Sequence, residues 1–297
     1  MANKENTNHP NTPASELPDD EMNAQYISDQ NAVKPAKSPS LIVRNLEIPG
    51  QIGSIPVRLH QPSVEVVLPI VLYFHGGGFV SGTLDDADVP AQFIAAHSQS
   101  LVLAVGYSLA PTRPFPAAPE DAYAALDWVT KQAVALNADA TRLAVAGDDA
   151  GGNLAACLTF IARDRNAATI AAQVLISPRL DPSMTRLDDA QKINSDLTAE
   201  NCAACYRQYL PRTLQRLHPY AAPLESSRLK GLPAAYIATT ECDVLHKEAE
   251  SYAAGLIAAG VPTQVACFAG VARSALPTHV PLLSDVADFL TRRFNRS

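Results

Sequence analysis

A chain of 297 residues, 47% hydrophobic and 18% charged, carries enough apolar material for a sizeable core, arranged as one large α/β domain or two small ones. The formal net charge of −7 makes the surface mildly acidic, and no Lys/Arg-rich run appears, which argues against nucleic acid and anionic membranes as partners. No stretch is long and apolar enough to span a bilayer, and the polar opening MANKENTNHPNTPASELPDD lacks the apolar core of a secretory signal. Five scattered cysteines (Cys157, Cys202, Cys205, Cys242 and Cys267) do not have the spacing of a disulfide framework, so a reduced cytoplasm is the expected compartment.

Residues 1–38 are polar and rich in Asn, Asp and Pro, and read as an arm that can order over an active-site mouth as part of a cap. Residues 39–297 read as a single α/β domain. LIVRNLEI and SIPVRLHQP alternate as half-exposed strands do. PIVLYF at 69–74 is a continuous apolar run, as expected of a strand covered on both faces of a parallel sheet. LVLAVGY (101–107), RLAVAG (142–147), AAQVLIS (171–177), AAYIAT (234–239) and TQVACF (263–268) repeat the theme. Between them VPAQFIAAH, PEDAYAALDWVTKQAVAL, GGNLAACLTFIARDR, HKEAESYAAGLIAAG and HVPLLSDVADFLTRRF have helical spacing. This alternation predicts a mostly parallel sheet with helices on both faces. Residues 182–217 break it, being polar and helical in pattern, and are expected to form a lid insertion.

Two stretches carry chemistry. FHGGGFVSG at 74–82 follows a buried strand, and a His-Gly-Gly-Gly turn can point bare N–H groups into a cavity, where they stabilise an oxyanion. AVAGDDAGGNLAA at 144–156 has the strand, tight turn and helix of a nucleophile elbow. With YSLAPTRPFPAAPEDAYAALDWV (107–129) and GLPAAYIATTECDVL (231–245), these segments resemble the hormone-sensitive-lipase family of esterases, from about residue 40 to the C-terminus. The resemblance implies an α/β-hydrolase fold with a cap and, as the usual activity, hydrolysis of short-chain esters without a metal or cofactor.

Carried over residue by residue, the resemblance exposes departures. The family's elbow reads Gly-Asp-Ser-Ala-Gly-Gly, whereas this chain has Gly147, Asp148, Asp149, Ala150, Gly151 and Gly152. Asp149 therefore stands at the nucleophile position. The catalytic acid maps to Asp243, and the histidine position falls on Arg273. The oxyanion donors map to the N–H groups of Gly77, Gly78 and Ala150, beside His75 and Gly76 of the turn. The segment Gly106–Thr112 has also lost three charged groups of the family pattern.

Asp149 has no hydroxyl, and Arg273 stays protonated at working pH and cannot act as a base. One reading is an ionic replacement of the triad, in which Arg273 bridges two carboxylates and does no chemistry. The pocket would then bind a small molecule, such as an ester or a carboxylate, or a partner protein; plant gibberellin receptors, which resemble this family and lack its histidine, sense a small acid in that cavity. Arg273 is the candidate partner for a ligand carboxylate if Asp149 and Asp243 leave it free. A second reading makes Asp149 a general base beside a working oxyanion hole, as in a lyase, dehydratase or cyclase. A third keeps a residual carboxylesterase with another nucleophile. A homodimer through an edge strand is open.

Weaker signals have plainer readings. Cys202 and Cys205 are one helical turn apart without a second Cys/His pair, which favours packing over a metal or redox pair. His75 reads as a structural histidine of the oxyanion loop, Asp148 as a hydrogen-bonding residue, His246 as a solvent-facing helix start, and His279 as decoration of the last helix. Pro114–Pro116 and Glu120–Asp121 are expected to fix a loop and start a helix.

Overall fold

The computed structural model of the chain describes residues 40–63 and 65–295; the expected arm at 1–38 lies outside the described residues. The strands are β1 (Leu41–Pro49), β2 (Ser54–Pro62), β3 (Leu68–Phe74), β4 (Leu101–Val105), β5 (Ala138–Asp148), β6 (Ala172–Ile176), β7 (Ala234–Thr239) and β8 (Thr263–Cys267). They form one sheet in the order β1-β2-β4-β3-β5-β6-β7-β8. β2 runs antiparallel to both β1 and β4, and from β4 onward every neighbouring pair is parallel. The helices are α1 (Asp88–Ser98), α2 (Ala117–Gln132), α3 (Ala150–Asp164), α4 (Ala199–Tyr209), α5 (His246–Ala258) and α6 (Val280–Phe294).

The period of two in β3 sorts its side chains between two cores. Val71 and Tyr73 join α1 and α6 on one face, where Ala91, Ile94, Leu282, Val286 and Phe289 pack. Ile70, Leu72 and Phe74 face α2, α3 and α5 on the other. Because both faces are covered, the strand is buried at every position, which is why its sequence is continuously apolar. In α6 the buried residues recur at helical spacing, and Phe289 meets Tyr236 of β7 at a ring separation of 5.6 Å.

Residues 182–217, expected to be helical, differ from that expectation. Residues 182–198 run as turns, and helix is confined to α4 and a 3-10 turn at Thr213–Leu217. Short polar side chains divert the backbone there. Asp181 accepts the Ser183 amide, Asp189 the Gln191 amide and Ser195 the Leu197 amide. Helix starts only where Thr198 caps it, its hydroxyl accepting the Asn201 amide at 3.2 Å. α4 then lies over the turn that follows β3, with the Tyr209 ring stacked on Phe79 at 3.8 Å. Among the described residues no helix is long and apolar enough to cross a membrane.

The β5–α3 elbow crosses the end of β3 so closely that only a residue without a side chain fits at Gly151. A Cβ there would lie 1.9 Å from the Phe74 carbonyl oxygen. Gly151→Ala is therefore expected to cost about 3 kcal/mol, the upper range for overpacking, read as a fall in the urea midpoint.

Candidate functional site

The site is assembled at the C-terminal ends of the parallel strands. After β3, Gly77 and Gly78 take φ of +106° and +62°, conformations that glycine adopts without the cost of a Cβ, so consecutive amides face inward. His75 fixes the turn: its Nδ1 lies 2.7 Å from the Gly76 carbonyl, and its ring stacks on Tyr107 at 4.4 Å. Burial pushes the His75 imidazole below its usual range, consistent with a neutral structural group. The Tyr107 hydroxyl donates to the His75 carbonyl at 2.8 Å. Asp121 of α2 accepts the Ser108 amide at 2.9 Å, which ties the divergent 106–112 segment to the same frame.

Gly147 and Asp148 end β5 and Ala150 opens α3, so Asp149 alone makes the turn, at φ +50° and ψ −113°. A non-glycine residue held there costs about 1–3 kcal/mol, and persists only where its surroundings over-determine it. They do: its N–H donates to Ile176 at 3.0 Å, and its carbonyl accepts from Arg179 at 3.1 Å. The Asp149 side chain is fully engaged. Oδ2 accepts the amides of Gly78 at 2.7 Å and Gly77 at 3.1 Å. Oδ1 accepts Arg179 Nε at 2.6 Å and Arg273 Nη2 at 2.5 Å.

Arg273 sits on a 3-10 turn after β8 and is buried. Beyond Asp149, its Nη2 donates to the Ser177 carbonyl at 2.7 Å and its Nη1 to Asp243 Oδ2. Asp243 is fully buried, and its other oxygen accepts the Leu245 amide at 2.9 Å. Asp149, Arg273 and Asp243 thus lie together, as an ionic chain.

Three expectations change. The donors Gly77 and Gly78 are not open to a substrate oxyanion, because Asp149 places its own anionic oxygen on them. Arg273 has both terminal nitrogens spent on Asp149, Asp243 and Ser177, so it is not a free partner for a ligand carboxylate. His246 is not simply solvent-facing either: its Nδ1 contacts the Asp243 carbonyl at 2.7 Å and its Nε2 lies 3.2 Å from Asp188. His279 packs edge-on against Phe268 at 5.4 Å, away from the ion chain. Cys202 packs with Val244 and Leu245, and Cys205 faces the Gly78 backbone.

Sequence reasoning missed Arg179, just beyond β6. Its side chain is only 4% exposed and forms the second cation of the cluster. The available signal was a lone charge in the apolar stretch from Ile170 to Leu180, facing an elbow with two adjacent carboxylates. Glu248 was missed as well. It accepts the amides of Leu180 at 2.8 Å and Asp181 at 3.0 Å, and so pins the segment that carries Arg179. Burial pushes the Glu248 carboxyl up to about 8, although those amides oppose the shift.

Burial by itself would raise the Asp149 carboxyl, but the Arg179 and Arg273 charges and the Gly78 amide outweigh it and hold the group well below the usual carboxylate range. Burial pushes neighbouring Asp148 up to about 7; the Tyr73 hydroxyl, donating to it at 2.9 Å, opposes this and the Asp149 charge adds to it. The depressed Asp149 contributes stability that is present above the unfolded carboxylate value of about 3.9 and lost as pH falls toward the folded value. Asp149→Asn leaves two buried guanidiniums undercompensated. It should cost about 3–5 kcal/mol at pH 7, with the gap to the parent closing below pH ~4, measured by urea unfolding across pH.

Residues 71–276 match the family described as the alpha/beta hydrolase fold. Esterase LipI of Mycobacterium tuberculosis is 38% identical over 234 residues, which cover 76% of this chain and 72% of that protein. The ethyl acetate hydrolase of Pseudomonas putida is 39% identical over 224 residues, covering 73% and 70%. Among solved structures, the esterase of the archaeon Pyrobaculum calidifontis superposes with a TM-score of 0.80 at 35% identity, covering 86% of this chain and 85% of that one. The thermostable carboxylesterase EstE1, cloned from a metagenomic library, gives 0.80 at 36%, covering 88% and 90%. With its sheet order, its turn after β3 and its β5–α3 elbow, the chain belongs to the α/β-hydrolase-fold family and has esterases among its homologues.

Proposed function

We propose that this chain is an α/β-hydrolase-fold protein without serine-hydrolase turnover, which binds a small molecule in the cavity beside its ion cluster. The observation that carries this reading is the Asp149 carboxylate seated on the Gly77 and Gly78 amides and clamped by Arg179 and Arg273. Serine hydrolysis needs a hydroxyl, a base to take its proton and open donors for the oxyanion. Here the elbow supplies a carboxylate, the expected base is a guanidinium, and the Gly77 and Gly78 donors are filled from within. Loss of the nucleophile or of the base typically costs about a million-fold in turnover, and loss of both costs little more.

The same geometry counts against altered chemistry at Asp149. A nucleophile or general base needs a lone pair aimed at the substrate. Both oxygens of Asp149 are instead spent on two donors each, and its carboxyl is held far below the range of a useful base.

The test is turnover of p-nitrophenyl acetate and butyrate with labelling by a serine-directed phosphonate. Rates at background and no label are expected, with Asp149→Ala no slower than the parent. Robust turnover, or a labelled serine such as the cavity-lining Ser177, would sink the reading. Reversion sharpens the test. Asp149→Ser with Arg273→His leaves Arg179 as a buried cation without its carboxylate, so this double variant should stay inactive and be destabilised by about 3–5 kcal/mol. Adding Arg179→Leu removes the stranded charge, and the triple variant is expected to regain measurable hydrolysis and phosphonate labelling.

A further inference from the structure

The cavity beside the cluster has a volume of about 260 Å³, just below the ~300–1,000 Å³ usual for drug-sized ligands. Its walls include Asp148, Ser177, Asp196, Leu197, Ser274 and Pro277 beside the ion chain. The positive groups around it are already paired with carboxylates. Gly77 and Gly78 donate to Asp149, Arg273 bridges Asp149 and Asp243, and Arg179 is paired through Nε. Of the two terminal nitrogens of Arg179, neither has an acceptor among the described residues, and Nη1 is buried out of reach of solvent. Both guanidiniums at this wall are therefore already ion-paired, and an incoming carboxylate would have to share a cation with Asp149 or Asp243.

Two carboxylates are left over. Asp148 accepts the Tyr73 hydroxyl at 2.9 Å, and Asp196 accepts the Ser274 amide at 2.9 Å. Neither has a cationic side chain paired with it among the described residues. In the same lining Ser177, only 3% exposed and held at φ +41°, has a hydroxyl with no hydrogen-bond partner among the described residues. A hydroxyl oxygen offers two lone pairs to a donor. Leu197, Pro277 and Ile176 supply an apolar wall for a short alkyl stem.

We propose that this cavity receives a small organic ammonium ion, with Asp148 as its carboxylate partner, Ser177 as an acceptor and Asp196 at the rim. The assignment rests on the reading of the cavity as a ligand site and narrows it to one charge class. Asp148 meets Tyr73 from β3, Asp149 from the elbow and, at longer range, Arg273 from the 3-10 turn. Burial raises it to about 7, Tyr73 and Arg273 opposing and Asp149 adding. Below that pH the group is mostly protonated, and an arriving ammonium must displace the proton into solvent. Apparent affinity then rises with pH up to about 7 and levels off above it.

The test titrates the full-length chain with n-butylamine, butyrate and butanol by calorimetry at pH 6 and pH 8, in buffers of different ionisation enthalpy. Butylamine is expected to bind about tenfold more tightly at pH 8, with close to one proton released per amine at pH 6. Asp148→Asn keeps an acceptor for Tyr73 and should weaken butylamine while abolishing both the pH dependence and the proton release. Asp196→Asn should weaken it by a smaller factor that is the same at both pH values. Butylamine binding that is unchanged in Asp148→Asn, or absent at both pH values, overturns the proposal. Preference for butyrate also overturns it while leaving a ligand site in place, whereas ester turnover by the parent would overturn the non-hydrolytic reading itself.

Discussion

A carboxylate at the tip of a strained turn organises this molecule. Asp149 cannot leave the elbow, because its φ is set by the crossing of β5 and α3 over β3, and it cannot go unpaired in that enclosed position. Its charge is met by two backbone amides and two guanidiniums, drawn from the turn after β3, the loop after β6 and the 3-10 turn before α6. Four segments far apart in sequence are thus fastened at one point. Asp243 extends the fastening to the loop after β7, and Glu248 of α5 holds the backbone just after Arg179, at Leu180 and Asp181. The cluster is close to charge-balanced, which is the condition for burying so many ions at tolerable cost.

The arrangement is a fixed salt network and not a proton relay. A relay works because its middle member changes protonation during turnover, whereas a guanidinium does not. Arg273 keeps the bridging position between elbow and acid but can pass nothing along it. Arg179 completes the network, since one cation between two buried carboxylates would leave a net negative charge. The chain shares its scaffold with homologues named as esterases.

The architecture was largely legible in the sequence because its signals are local. β3 is apolar throughout since both of its faces are covered, and the elbow and the glycine turn are fixed by steric demands that only certain residues meet. The meeting of Asp149, Arg273 and Asp243 could be anticipated only through a family resemblance, because the spacing of residues 149 and 273 carries no local signal. What escaped depended on distance in space. Arg179 looks like the polar end of a strand until the elbow is folded against it. The filling of the glycine amides follows from the reach of an aspartate side chain, which is a matter of ångströms and not of pattern. The helical expectation failed over residues 182–198 because polar residues there suit a helix by composition while their side chains cap the backbone locally.

The seating of Asp149 on the Gly77 and Gly78 amides also has a consequence for substitution. A carboxylate on those donors resembles the acid product of ester cleavage, so the chain carries a permanent internal copy of the species an esterase would release. Each single replacement at Asp149, Arg179 or Arg273 leaves buried charge undercompensated. Positions tied in this way are expected to change together and not one at a time.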